Sequence, residues 1–259
     1  MANDPVGALR RERSELLGFC ADLSDADWQT PSAAAGWRVQ DVVAHMGSSC
    51  HVLFSPAALQ FLRTKDIERT NDVMVDQRRD WSGSETLAEY ERWSRWVLRL
   101  MGPIARSPLA RIRTRLAELG TFSASQLLCA IVFDTHTHLR HDIAPALGRP
   151  VPGADGDRMA VVLEWMMAVL SNQLRVARHE WLDRPVSITL SGPGGGCWVV
   201  RPDGGIDLGS PAVSAAQIDG VALEFPEWGT QRVSWRDRDV DIGGDADYGA
   251  LFLDAVNVV

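Results

Sequence analysis

The chain has 259 residues, enough for one large domain or two modest ones. Hydrophobic residues make up 46% and charged residues 23%, and 26 basic against 34 acidic side chains leave a formal charge of -8. That balance excludes a broad basic face for nucleic acid, and the most apolar run, 159–170, is broken by Glu164 and too short to cross a bilayer.

From Asp4 to Asp22, apolar residues at Val6, Leu9, Leu16, Leu17 and Cys20 follow a helical period, which ends before the turn "LSDADW". "TPSAAAGW", with Pro31 and Gly36, is a loop. "VQDVVAHMGSSCHVLFSPAALQFL" predicts one or two helices with Val39, Val42, Val43 and Met46 on an apolar stripe. Arg38 stands at the cap and is a poor N-cap residue. Glu85 to Met101 is an amphipathic helix, containing Trp93 and Trp96 as core residues, that the Gly102-Pro103 loop ends. Arg111, Arg113 and Arg115 fall at every second position, which spreads them around a helix as solvated charges.

Ser123 is the expected N-cap of a helix running to Leu147, with Pro145 bending its last turn and Gly148-Arg149-Pro150 stopping it. "GDRMAVVLEWMMAVLSNQLRVARHEWL" is apolar nearly all round in its first half and so reads as central, with His179 exposed near its end. After Arg184-Pro185 the texture changes. "VSITL" and "CWVV" read as strands about the turn "SGPGGG", with further short strands at "VALEF", "RVSW" and "VDI" and a helix near "DADYGALFLDAV". The expected organisation is a helical domain over 1–183 and a small α+β domain over 184–259. "SGPGGGCW" lacks the G-K-[ST] of a phosphate loop, and no base can be named beside Cys197.

Three of the six histidines lie in "VFDTHTHLRHDI", residues 132–143. With Asp134 as origin and about 100° per residue, His138, His141 and Asp142 share its helix face and His136 points the other way. The flanking "QLLCAIV" is apolar, so four ionisable side chains face a bundle interior, which is costly unless they pair or hold a cation. A carboxylate four residues before a histidine is half of a divalent-metal site. His45, on the apolar face of "DVVAHM", is the best remaining ligand, although alone it reads as a core histidine bonded to a backbone carbonyl. His51 faces elsewhere. A buried ion-pair network without metal is the competing reading of the cluster.

"LSDADWQTPSAAAGWRVQDVVAHM" is similar to the N-terminal signature of the mycothiol-dependent maleylpyruvate isomerase family, within the DinB/YfiT-like metal-binding four-helix bundles. The resemblance implies His45 as the first metal ligand, and through "DTHTHLRHDIAPALGRP" it implies Asp134 and His138 as the others. The family often has Glu where Asp134 stands, and His138 to Asp142 is one residue longer than in many relatives. "PVSITLSGPGGGCWVV" and "GGDADYGALFL" resemble the family's sterol-carrier-like second domain.

The fold expected is therefore multidomain, a DinB-like four-helix bundle followed by a small sterol-carrier-like α+β domain. The function expected is a metal-dependent enzyme that uses a metal-activated thiol of the mycothiol kind for isomerisation of, or sulfur transfer to, an electrophilic small molecule. Zinc is the expected metal; His141 and Asp142 are expected to orient His138 or move protons, as Asp41 would beside His45, and Trp37 to line the entrance. A thiol-independent metal enzyme of secondary metabolism and a non-catalytic metal- or ligand-binding protein stand as alternatives. The partners expected are a small-molecule substrate, no nucleic acid and no membrane, in a monomer or homodimer. Four separate cysteines and a polar N-terminus point to a reducing cytoplasm, and arginine in place of nearly all lysine (Lys65 excepted) to a GC-rich, actinobacterial kind of genome.

Overall fold

A computed structural model describes residues 3–209 and 214–258, with the side chains of Gln60 and Phe61 left aside. The chain divides after Gly153 into two compact units.

In the first unit four long helices form a bundle: α1 (Pro5–Cys20), α3 (Val39–Val52), α6 (Gly83–Ala105) and α7 (Ala124–Thr137). α3 packs on α6 and α7, and α1 on α6 and α7. Their starts are written in the sequence. Asp4 accepts from Gly7 N with Pro5 at the first helical position, and Ser123 with Gln126 forms a capping box on α7. Arg38 gives α3 no side-chain cap. Instead Asp41, in the first turn, accepts from Arg38 N at 2.9 Å, so the helix starts where the apolar stripe places it. Leu16, Val42, Val43, Met46, Tyr90, Leu139 and Ile143 fill the centre. Gly47 marks the close crossing of α3 and α6, where a Cβ would come 3.2 Å from Tyr90 N.

Several elements differ from their sequence-based expectation. The "SDADW" turn is a short helix, α2 (Asp25–Gln29), closed by a Ser24/Asp27 capping box. α6 begins at Gly83 behind a Ser82/Glu85 box and continues through Gly102-Pro103 to Ala105. A proline that close to a helix end removes a single hydrogen bond. Trp96 is 42% exposed beneath the Arg99 guanidinium rather than in the core. Two further helices, α4 (Ala58–Arg63) and α5 (Ile67–Asp76), follow α3, the second capped by Asp66. Arg113 and Arg115 lie on a strand, not a helix: β1 (Arg113–Leu116) pairs antiparallel with β2 (Gly120–Ser123).

The expected helix to Leu147 changes character at His138. Residues His138–Ile143 form a π-helical segment, with Ala144 N donating to Leu139 O at 3.0 Å, and a turn follows.

The second unit opens with α8 (Gly156–Ala177), 12 of whose 22 residues are buried. The unit thus begins some thirty residues before the change of texture at 184. The reason is packing: α8 lies against the turns of the sheet, where Ser171 Oγ donates to Gly204 O at 3.0 Å and a Cβ on Gly194 would strike Ala160 N. Arg178 ends α8 with a left-handed φ of 48°, so His179 stands outside the helix, half-buried and stacked on Trp181. The sheet has the order β5-β4-β3-β6-β7, formed by β3 (Val186–Ser191), β4 (Gly196–Val200), β5 (Ile206–Leu208), β6 (Ala216–Val221) and β7 (Asp241–Gly244). β3 and β6 run parallel, with Ile188 opposite Ile218, and the other pairs are antiparallel. "VALEF" contributes only the end of β6 before the short helix α9 (Phe225–Gly229). "RVSW" is a turn, since Gln231 takes a φ of 57°. α10 (Ala246–Ala255) covers β6 and β7. Among the described residues no helix is long and apolar enough to cross a membrane.

Candidate metal centre

α3 and α7 cross so that His45 and Asp134 face one another, and the helical period of α7 brings His138 beneath Asp134. One donor atom from each of the three residues lies within 4.8 Å of the others. His45 Nε2 is 3.1 Å from Asp134 Oδ2, and His138 Nε2 is 3.6 Å from Asp134 Oδ1. The imidazoles are 7% and 11% exposed, whereas Asp134 is 26% exposed, so the carboxylate marks the open side.

Asp142 lies behind His138. Its Oδ2 is 2.7 Å from His138 Nδ1, and its side chain is 1% exposed. In the tautomer that donates Nδ1–H to Asp142, the Nε2 lone pair faces the Asp134 carboxylate. His138 Nε2 and the Asp134 oxygen 3.6 Å from it are spaced so that a cation could bridge them. His45 Nδ1 is buried without a hydrogen-bond partner. These residues fit a divalent cation.

The other expected site residues are placed differently. His141 does not join the three, because the π-helical segment breaks the α-helical phase on which its placement depended; its charge acts on His136. Asp41 accepts from Arg38 and Arg79 at the start of α3 and does not reach His45. Trp37 does line the site, with its ring centroid 5.1 Å from that of His45 and 6.4 Å from that of His138.

Two further polar clusters brace this region. Glu12, fully buried on α1, meets His136 Nδ1 at 3.0 Å and Arg140 Nη1 at 2.7 Å, while Arg140 also bonds Glu15 and the carbonyl of Pro152. Burial pushes the His136 pKa down to about 4. Burial alone would raise the Glu12 carboxyl, but His136 and Arg140 outweigh it and hold it below the usual range. Glu12 was open to detection in the sequence as a carboxylate on the apolar stripe of Leu9, Leu16 and Cys20. On α6, Glu89 receives Arg78 Nη2 at 2.7 Å and His51 Nδ1 at 2.9 Å, and His51 stacks on Trp93 with centroids 4.2 Å apart.

None of the four cysteines is in a disulfide. Burial pushes the Cys20 thiol up to about 12 and Cys50 higher still, the latter helped by the nearby carboxylates of Asp134 and Glu89. Neither supplies a thiolate to the site.

The family model for the mycothiol maleylpyruvate isomerase N-terminal domain matches residues 9–144, just over half of the 259. Two crystal structures of a mycothiol-dependent maleylpyruvate isomerase, one of them a histidine-to-alanine mutant, share the fold. Each covers 92% of this chain and 91% of its own at 14% identity, with TM-scores of 0.55 for the mutant and 0.54 for the other. A sterol carrier protein 2-like protein of Aedes aegypti aligns with 36% of this chain and 99% of its own, at 11% identity and a TM-score of 0.31, too slight a likeness to bear on the second unit. No curated protein matches in sequence.

Proposed function

The chain belongs to the mycothiol maleylpyruvate isomerase N-terminal domain family, and on that premise we propose that it is a metal-dependent enzyme acting with a low-molecular-weight thiol of the mycothiol kind. The reaction is isomerisation of, or sulfur transfer to, an electrophilic small molecule. His45, Asp134 and His138 would hold the cation, zinc being the expected ion, and Asp142 would keep His138 in the binding tautomer.

The observation that carries this reading is the convergence of the three donor atoms within 4.8 Å of one another, with Asp142 held 2.7 Å from His138 Nδ1. A divalent cation held there would supply Lewis acidity that lowers the pKa of a bound thiol toward neutrality. The protein's own part is electrostatic and geometric. Two neutral imidazoles and one carboxylate leave a divalent charge half compensated, which favours an anionic ligand on the open side that Asp134 marks. Burial disfavours a thiolate at Cys20 and Cys50, and on this reading the reactive sulfur is the co-substrate's. A reducing cytoplasm, in which such a thiol persists, is part of the same reading.

Elemental analysis of the purified protein beside His45→Ala and His138→Ala tests the metal, and thiol consumption with a panel of electrophiles tests the chemistry. About one equivalent of a first-row divalent ion is expected in the parent and none in either variant. A parent without metal refutes the centre. A metal-loaded parent that consumes no thiol with any electrophile refutes the thiol chemistry and leaves the thiol-independent enzyme or the binding protein.

A further inference from the structure

The loop that enters α3 is fastened on three sides. Ser32 N and Ser32 Oγ both donate to Trp37 O, at 2.9 and 2.8 Å, and Trp37 N donates to Ala34 O at 3.1 Å, closing the loop on itself. Ala33 N donates to Asp142 O at 3.1 Å, which ties the loop to the π-helical segment that carries His138. On the outer side the Trp37 indole N–H donates to Asp72 Oδ1 of α5 at 3.1 Å. The Trp37 ring is therefore held at its backbone and at its far edge, tilted 42° to the His45 ring and 35° to the His138 ring. His45 and His138 are themselves 5.1 Å apart, so the three rings form a closed triangle of contacts.

We infer that Trp37, anchored by Asp72, is a positioning residue for sulfur-bearing ligands: the fixed aromatic wall against which the thiol entering beside His45 and His138 packs. The inference rests on the proposed metal centre. Its physical basis is that sulfur is polarisable and gains from contact with an aromatic ring, whereas a carboxylate oxygen gains nothing there. A wall built only to support the imidazoles would need neither the indole N–H nor its tether to an exposed aspartate on another helix. The wall also excludes water from one side of the donor set, which strengthens every charge interaction within it.

The test uses the full chain loaded with Co2+ and two probes, N-acetylcysteine and acetate. The absorption that appears when sulfur joins the cobalt, and the shift of the cobalt bands with acetate, give the two dissociation constants and hence their ratio. In Trp37→Ala the thiol should weaken about 2- to 10-fold relative to acetate. Trp37→Phe, which retains an aromatic face, should keep most of the preference, and Asp72→Ala should lose part of it. An unchanged ratio in Trp37→Ala, or a Trp37→Phe protein as impaired as Trp37→Ala, overturns the inference. A Trp37→Ala protein that takes up no Co2+ makes the ring a support for the imidazoles and overturns it as well. A parent that takes up no Co2+ overturns the metal centre first, and the inference with it.

Discussion

Replacing Asp142 by Asn tests the contact behind His138 in the candidate centre. The side chain keeps its volume and an oxygen that can face His138, and the backbone carbonyl that receives Ala33 N is untouched. What disappears is the negative charge 2.7 Å from His138 Nδ1, at a position with 1% side-chain exposure, where water cannot replace it. The imidazole Nε2 becomes a weaker donor, and an amide turned the other way would force the wrong tautomer. Loss of a carboxylate behind a metal-binding histidine costs about 10- to 100-fold in affinity, or roughly 1.4–2.8 kcal/mol. Competition for Zn2+ against a chromophoric chelator measures this directly, with melting of the metal-free proteins as the control for folding. A Zn2+ affinity within about twofold of the parent, in a variant that melts normally, would refute the role given to Asp142.

Arg140→Ala should destabilise the protein by about 3–5 kcal/mol, because Glu12 would be left buried without its counter-charge; denaturant unfolding measures it, and replacing Glu12 and Arg140 together by apolar residues should cost much less. Acid should weaken the fold in two overlapping ranges. The folded His136 holds its pKa at about 4 against an ordinary 6.5, so the unfolded chain takes up that proton first and stability falls as pH drops from about 6.5 to 4. Glu12, depressed from 4.5, adds a loss that begins near its ordinary value and continues below it. Melting curves for the parent and His136→Gln should diverge between pH 7 and 5, and parallel profiles would remove His136 from the account. Gly83→Ala should cost roughly 1–3 kcal/mol, since the added methyl would fall within the Trp28 ring; an unchanged melting temperature would show that the ring can move.

The long helices could be read from the sequence because their apolar residues recur at the helical period and their caps are explicit, as at Asp4 and Ser123. The strands β3 and β4 were equally plain in "VSITL" and "CWVV". What escaped was structure without such a signal. The β1–β2 hairpin carries arginines where an apolar alternation would have shown, and "RVSW" alternates correctly but folds back at Gln231. For the site, the pair Asp134 and His138 follows from spacing on one helix, whereas His45 was chosen as a histidine on the apolar face of another helix, a choice that the family resemblance also implies. The phase that put His141 on the face of Asp134 assumed regular helix geometry across His138, where the winding changes. The pairing of Glu12 with Arg140 joins residues 128 positions apart, which no local pattern reveals.

The wide winding from His138 to Ile143 forms fewer turns per residue than ordinary helix, yet Leu139 and Ile143 are both fully sequestered by it and Asp142 is delivered to its imidazole. Shortening this stretch by a single amino acid would let an unbroken coil form, and by backbone criteria such a chain should be the sturdier one. It would also rotate either the greasy pair or the aspartate out of place. Robustness and the proposed ion capture would thus be set against each other in one short stretch, and heat-selected descendants of this protein should gain the first at the expense of the second.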